Sequence, residues 1–264
     1  MGSKPLLAHL SKQTVRRPKM ALKHLPSTLQ RLKRNESGLA MVEFAVSLPF
    51  FLGLTIGGVE LANYASVVMQ LNQITLHTAD SAARIGSNTP TGNKTISEAQ
   101  IKDVFEGALR EGDRIAVGGS HSYVDPVTNV LSIRGNTRII LSSFEEVTPF
   151  TALNPRYRVR WQRCTGTASF YTSNYGTKAT ATSVTGIGPA GRQVTPPPGG
   201  VVMFVELQYY FKPMIVNGFT RLTDHTISQI ASMVVREKRD VVGPTGSDGI
   251  YNAENVTPAT CPWG

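Results

Sequence analysis

Glu43 is the single charge in a run of apolar residues. The run, LAMVEFAVSLPFFLGLTIGGV, covers residues 39–59, and residues 44–59 carry no charge. A carboxylate among apolar neighbours needs a partner to offset the cost of placing its charge there. Gly38 stands five positions before it. A cut between Gly38 and Leu39 would free an α-ammonium on Leu39 and make Glu43 the fifth residue of the product. The ammonium of a neighbouring subunit could then neutralise the carboxylate inside an apolar helix bundle. Such a pair sets axial register between subunits more than it adds net stability.

Few other residues offer chemistry. The sequence has no His-Glu-x-x-His and no Gly-x-Ser-x-Gly. Gly86 to Lys94-Thr95 departs from a phosphate-binding loop: five residues separate Gly86 from Gly92, and Asn93 intervenes before Lys94. Glu206, Asp224 and His225 could converge in space, but no spacing supports a metal site. His77 occupies a polar helical position and reads as a surface side chain. The chain is therefore expected not to be an enzyme and to need neither metal nor cofactor.

The elements that must position Glu43 follow from charge and hydropathy. The whole chain has 264 residues and a formal charge of +9, with a pI near 9.7. A pI that high suggests nucleic acid only if the charge is spread over a folded surface. It is not. Residues 1–38 carry nine basic side chains and one acid, a net +8, whereas residues 39–264 carry 18 basic and 17 acidic ones, a net +1. The 21 residues of 39–59, at about 1.5 Å each, reach across a hydrocarbon core of about 30 Å. A basic flank before the run and a balanced one after it predict a cytoplasmic N-terminus and an external C-terminal part. Pro49 removes one backbone donor in mid-span and predicts a kink. Gly53 and Gly57 have the small-xxx-small spacing of close helix contacts. Residues 60–85 continue the helical pattern, with Val67, Val68, Leu71, Ile74, Leu76 and Ala79 forming an apolar face.

The stretch Ser37-Gly38-Leu39-Ala40-Met41-Val42-Glu43-Phe44-Ala45 resembles a type IV prepilin processing site: a basic leader, Gly, four apolar residues, Glu, then an aromatic. Leu48-Pro49, Gly57-Gly58-Val59-Glu60-Leu61 and the small-residue run Ala79-Asp80-Ser81-Ala82-Ala83-Arg84 are similar to the TadE-like pseudopilin family of the tight-adherence (Tad/Flp) pilus machines. The resemblance covers about residues 37–84. It implies that an integral-membrane prepilin peptidase cuts after Gly38 on the cytoplasmic side, where a side chain would obstruct the peptidase. It also implies a bacterial inner-membrane protein with a periplasmic C-terminal domain, in or on the pilus at some stage. Its partners would be other pilins or pseudopilins and the Tad assembly proteins of that membrane, and not nucleic acid. Two alternatives stand beside it: an unprocessed bitopic protein with an extracytoplasmic binding domain, and an anchored enzyme.

The C-terminal part, residues 86–264, reads as an α+β domain with an antiparallel sheet. Residues 86–93 form a loop. Ser97-Glu98-Ala99-Gln100 is a capping box opening an amphipathic helix that Gly112 closes. Residues 130–133 and 137–142 flank Arg134-Gly135-Asn136, which reads as a hairpin turn. In residues 156–163, Tyr157, Val159 and Trp161 alternate with Arg156, Arg158 and Arg160, a row that reads as a solvated sheet face. Residues 201–211 form the strongest strand. Residues 227–235 fit a strand better than a helix. Residues 186–200, with three consecutive prolines, are a surface loop. Cys164 and Cys261 are the only cysteines, both on the predicted outer side. An even count in an oxidising compartment suggests one disulfide, with two unpaired thiols as the alternative.

Overall fold

The computed structural model of the chain describes residues 37–90, 92–147, 153–214 and 223–263. Residues 1–36 of the basic leader lie outside them. The chain divides into two compact units, one ending at Thr55 and one comprising Ile56–Gly264. Helix α1, Ser37–Arg84, belongs to both. Pro49 lies inside it, and the helical assignment runs through that position without a break.

In the larger unit, α1 is the central element. Of the expected apolar face, Val67, Leu71, Ile74 and Ala79 are buried and Val68 is half-buried, while Leu76 is exposed; Ala82 is buried as well. The alanines let the helix approach its neighbours closely. They pack into one cluster with Ile101, Val104, Phe105 and Ala108 of α2 (Glu98–Glu111). Ser97 caps α2: its hydroxyl accepts from Gln100 N–H, while the Gln100 side chain accepts from Ser97 N–H at 3.1 Å. A short 3-10 turn, Asp113–Ile115, follows Gly112. A Cβ on Gly112 would come within 2.4 Å of Val117 and 3.2 Å of Ile74, so the turn closes only because that position is bare.

The main sheet has the order β6-β5-β7-β8, all antiparallel: β5 is Thr137–Glu146, β6 Tyr157–Thr165, β7 Val201–Phe211 and β8 His225–Val234. The two central strands, β5 and β7, are buried almost throughout; β7 is largely apolar, whereas β5 also buries Thr137, Arg138, Ser142, Ser143 and Glu145. One face of the sheet, with Ile139, Leu141, Val205 and Leu207, packs on α1 and α2. Phe144, Val202 and Phe204 on the other face are covered by Ala181 and Ile187 from the long loop after β6. Two small sheets complete the fold. One pairs β1 (Ser87–Asn88), β2 (Lys94–Ser97) and β9 (Ile250–Tyr251); the other pairs β3 (Ser120–Val124) with β4 (Leu131–Gly135). The fold is α+β, with one long apolar N-terminal helix and an antiparallel-sheet domain.

Three sequence expectations are corrected. Arg134-Gly135-Asn136 is not a hairpin turn. β4 pairs with β3, and β5 pairs with β6 and β7, so the chain passes from one sheet to the next at Asn136. Gly135 is there for a different reason: a Cβ would sit 2.0 Å from the Thr167 carbonyl carbon. Nor do Tyr157, Val159 and Trp161 share a face. The pairing slips between Ser143 and Phe144, whose partners are Trp161 and Val159, so Arg160 is an extra residue in β6. The bulge turns Trp161 towards the helices and leaves Tyr157 and Val159 in the opposite cluster. Arg158 and Arg160 both turn to the buried Glu145, at 2.8 and 3.3 Å. The loop expected at 86–93 contains β1.

Arg239 closes α1. Its guanidinium is buried and donates to the carbonyls of Ala82, Ala83 and Ile85 at 2.9, 3.0 and 3.0 Å. Those carbonyls have no donor further along the helix, and a cation there also meets the negative end of the helix dipole. Burial pushes the Arg239 pKa down to about 10. Cys164 and Cys261 are bonded across 97 positions, with Cα atoms 5.0 Å apart. The bond holds the C-terminal tail against the outer edge of β6, where Cys164 N–H donates to Ala259 O at 2.7 Å.

Arg239→Met keeps the apolar stem and orphans the three carbonyls, so it should lower the unfolding free energy by about 2–3 kcal/mol in urea titrations of the detergent-solubilised chain. Joint replacement of Cys164 and Cys261 by Ser should cost up to about 4–5 kcal/mol in the same assay, the chain-entropy value for so long a loop.

Candidate functional site

The candidate site is the first part of α1. Gly38, Leu39 and Glu43 all lie on it, and residues 38–52 are exposed without exception. The exposed side chains include Leu39, Met41, Val42, Phe44, Val46, Phe50, Phe51 and Leu54. A helix that is apolar all round and uncovered by its own chain must be covered by something else. By length and composition α1 can cross a membrane. Its few polar side chains are already satisfied locally: Ser47 Oγ donates to Phe44 O at 3.1 Å and Thr55 Oγ1 to Phe51 O at 2.8 Å. Hydroxyls bonded back to their own helix can enter hydrocarbon at little cost. Glu43 is different. It is exposed on this surface, and no ion pair among the described residues includes it.

The glycines of this helix are informative through what surrounds them. A Cβ added at Gly38, Gly57 or Gly58 would meet nothing within 4 Å. Glycine inside a helix costs roughly 0.5–1 kcal/mol relative to alanine. Packing among the described residues therefore gives no reason for glycine at these three positions.

Farther along, Glu60 is fully buried, and its carboxylate accepts from Met214 N–H at 3.1 Å. Tyr64 packs edge-on against Phe211, with ring centroids 5.2 Å apart. These contacts anchor the start of the buried half of α1 to the end of β7. His77 is exposed, with Nδ1 2.8 Å from Glu111 Oε1 on α2. Sequence reasoning missed the role of Glu60 and did not single out Arg239. Arg239 sits in the charged run Arg236-Glu237-Lys238-Arg239-Asp240, which reads locally as a solvated turn.

Glu206, Asp224 and His225 do not form a common centre. Asp224 accepts from the Tyr210 hydroxyl, and His225 Nδ1 lies 2.8 Å from Thr223 O. Glu206 is fully buried on the sheet face opposite α1. It accepts from the Ser173 hydroxyl and from Asn174 N–H at 2.9 Å, strapping the loop after β6 to the sheet. Among the described residues no three His, Cys, Asp or Glu side chains are placed to hold a metal ion.

Burial raises the Glu206 pKa to about 6, against the lowering effect of its two donors. Between about pH 4.5 and 6 the folded chain keeps a proton that the unfolded chain has lost. This contribution to stability is complete below 4.5 and disappears as pH rises through 6, a fall of about 2 kcal/mol. Glu206→Gln should remove that slope, so the difference between variant and parent in urea midpoint should change sharply over this window. Compared with protein-family models, with curated proteins and with solved structures, the chain matches none, so its functional reading rests on its own residues.

Proposed function

We propose that this chain is a minor pilin or pseudopilin of a Tad-type pilus system, cut after Gly38 by a prepilin peptidase and acting in pilus assembly or adhesion. One observation carries the reading. Gly38 occupies a helical position where a side chain would meet nothing, and it stands five residues before the lone carboxylate of an exposed apolar helix. A prepilin peptidase that requires a bare position before the cut would explain a glycine there. Cleavage on the cytoplasmic side would remove the net +8 of residues 1–38 and leave a nearly neutral subunit. Glu43 then meets the Leu39 ammonium of a neighbour in the helix bundle, which defines stagger between subunits. Gly53, Gly57 and Gly58 are the places where neighbouring helices come close. The partners on this reading are the peptidase, other pilins or pseudopilins, and the Tad assembly proteins of the inner membrane.

The mature N-terminus decides the matter. Mass spectrometry of the protein from peptidase-competent cells should find a chain beginning at Leu39, and the precursor should persist in peptidase-deficient cells. Gly38→Leu should fold normally and accumulate uncut. An intact leader in competent cells returns the chain to the unprocessed bitopic alternative. Glu43→Ala should insert and be processed but should reduce piliation by tenfold or more, the scale of losing one buried charge pair.

A further inference from the structure

The β3–β4 hairpin wears its apolar side outwards. Its register pairs Ser122 with Ile133 and Val124 with Leu131, which puts these four on one face and His121, Tyr123, Ser132 and Arg134 on the other. The polar and aromatic face is the one that docks. His121 stacks on Tyr210 with ring centroids 3.7 Å apart. The Arg134 guanidinium lies 3.5 Å over the Tyr123 ring and 5.5 Å from that of Phe170. The other face is bare: Leu131 is 67% exposed, Ile133 79% and Val127 at the tip 91%, with Val124 and Val130 exposed beside them. A soluble hairpin ordinarily does the reverse.

Its place in the unit Ile56–Gly264 bears on what could cover it. Tyr210 N–H donates to Asn136 O, at the foot of β4, at 2.8 Å. The next residue, Phe211, packs on Tyr64 of α1, and Met214 N–H is held by Glu60. Tyr64 lies five residues, about 7.5 Å of helix, beyond Val59, the last residue of the apolar run. The hairpin is thus rooted at the end of the domain into which the candidate membrane span leads.

We propose that this hairpin is a membrane-surface element, with Val127, Leu131 and Ile133 entering the headgroup–acyl boundary of the bilayer that α1 crosses. The inference rests on reading α1 as a membrane span. Three features favour a lipid surface over a second copy of the chain. The span would hold the hairpin beside lipid at high effective concentration, so a small patch suffices. The aromatic and cationic side chains behind the patch, Tyr123, Phe170, Tyr210 and Arg134, are the types that favour the membrane–water boundary. Asp125 at the turn accepts from Val127 N–H and Thr128 N–H, both at 2.9 Å. A carboxylate held by its own turn suits headgroup depth, and it limits insertion to that depth.

The test uses the full chain in vesicles of phosphatidylcholine with phosphatidylglycerol, made without brominated lipid or with lipid brominated both near the headgroup end and near the methyl end of its acyl chains. Val127→Trp and Ile133→Trp each add a reporter at an exposed position. Phe51→Trp reports the span, and Val242→Trp, on an exposed loop, is the control for an aqueous site. The emission added at positions 127 and 133 should be blue-shifted and should lose most of its intensity in brominated vesicles, as at position 51, while that at 242 keeps its intensity. Quenching at 51 without quenching at 127 and 133 overturns the hairpin proposal and leaves the span standing. A blue shift at 127 and 133 without quenching overturns it in favour of a protein partner. Absence of quenching at 51 overturns the span itself and the proposal with it.

Discussion

The Arg239 guanidinium donates to three carbonyls where α1 runs out of its own donors. At the other end of the buried half of this helix, Glu60 holds Met214 N–H and Tyr64 packs on Phe211. Between these two fixings, Leu71, Ile74, Ala79 and Ala82 lie against α2 and the sheet. An amphipathic helix draws most of its stability from such packing rather than from propensity. The helix and the domain it anchors are therefore one packing problem in this region. A helix that slid along its axis would break the Arg239 bonds and lift the alanines off the sheet together.

The buried charges in the domain follow the same economy. Glu98 at the start of α2 meets Arg163 of β6 through two bonds of 3.0 Å from Nε, and so ties helix to sheet. Glu145 takes both Arg158 and Arg160. Breaking such a pair strands a charge, so each pair fixes geometry more firmly than its net energy suggests. Two members of the arginine row, expected on a solvated sheet face, are thereby taken up by a buried carboxylate. The formal +9 resides almost wholly before Leu39, and the described domain offers little excess positive charge to nucleic acid.

How much was readable in advance varied with the range of the interaction. The capping box at Ser97 was legible because it depends on residues three apart, and β7 because a strand buried on both faces is mostly apolar, here interrupted only by Glu206 and Gln208 before its two tyrosines. The turn at Arg134-Gly135-Asn136 misled because glycine serves tight turns and close backbone approaches alike. Only the Thr167 backbone, thirty-two positions on, distinguishes them. Trp161 was placed on the wrong face because a bulge changes the period of a strand at one residue, and nothing local to Arg160 announces it. Of the candidate site, Gly38 and Glu43 were visible at once as an interruption of hydropathy. That no described atom lies within 4 Å of a Cβ at Gly38 required coordinates.

By itself the sequence determined what nearest neighbours along the chain decide: a helix long and apolar enough to span a membrane, a charge asymmetry at its start, and strands whose burial follows from composition. These depend on spacing within a few residues, where the backbone has few choices. The tertiary structure alone decided the partners of Arg239, Glu60 and Glu206, and which face of the β3–β4 hairpin is left to solvent. Those outcomes arise from contacts between segments far apart in sequence, where closing the chain selects among arrangements that local preference leaves equal.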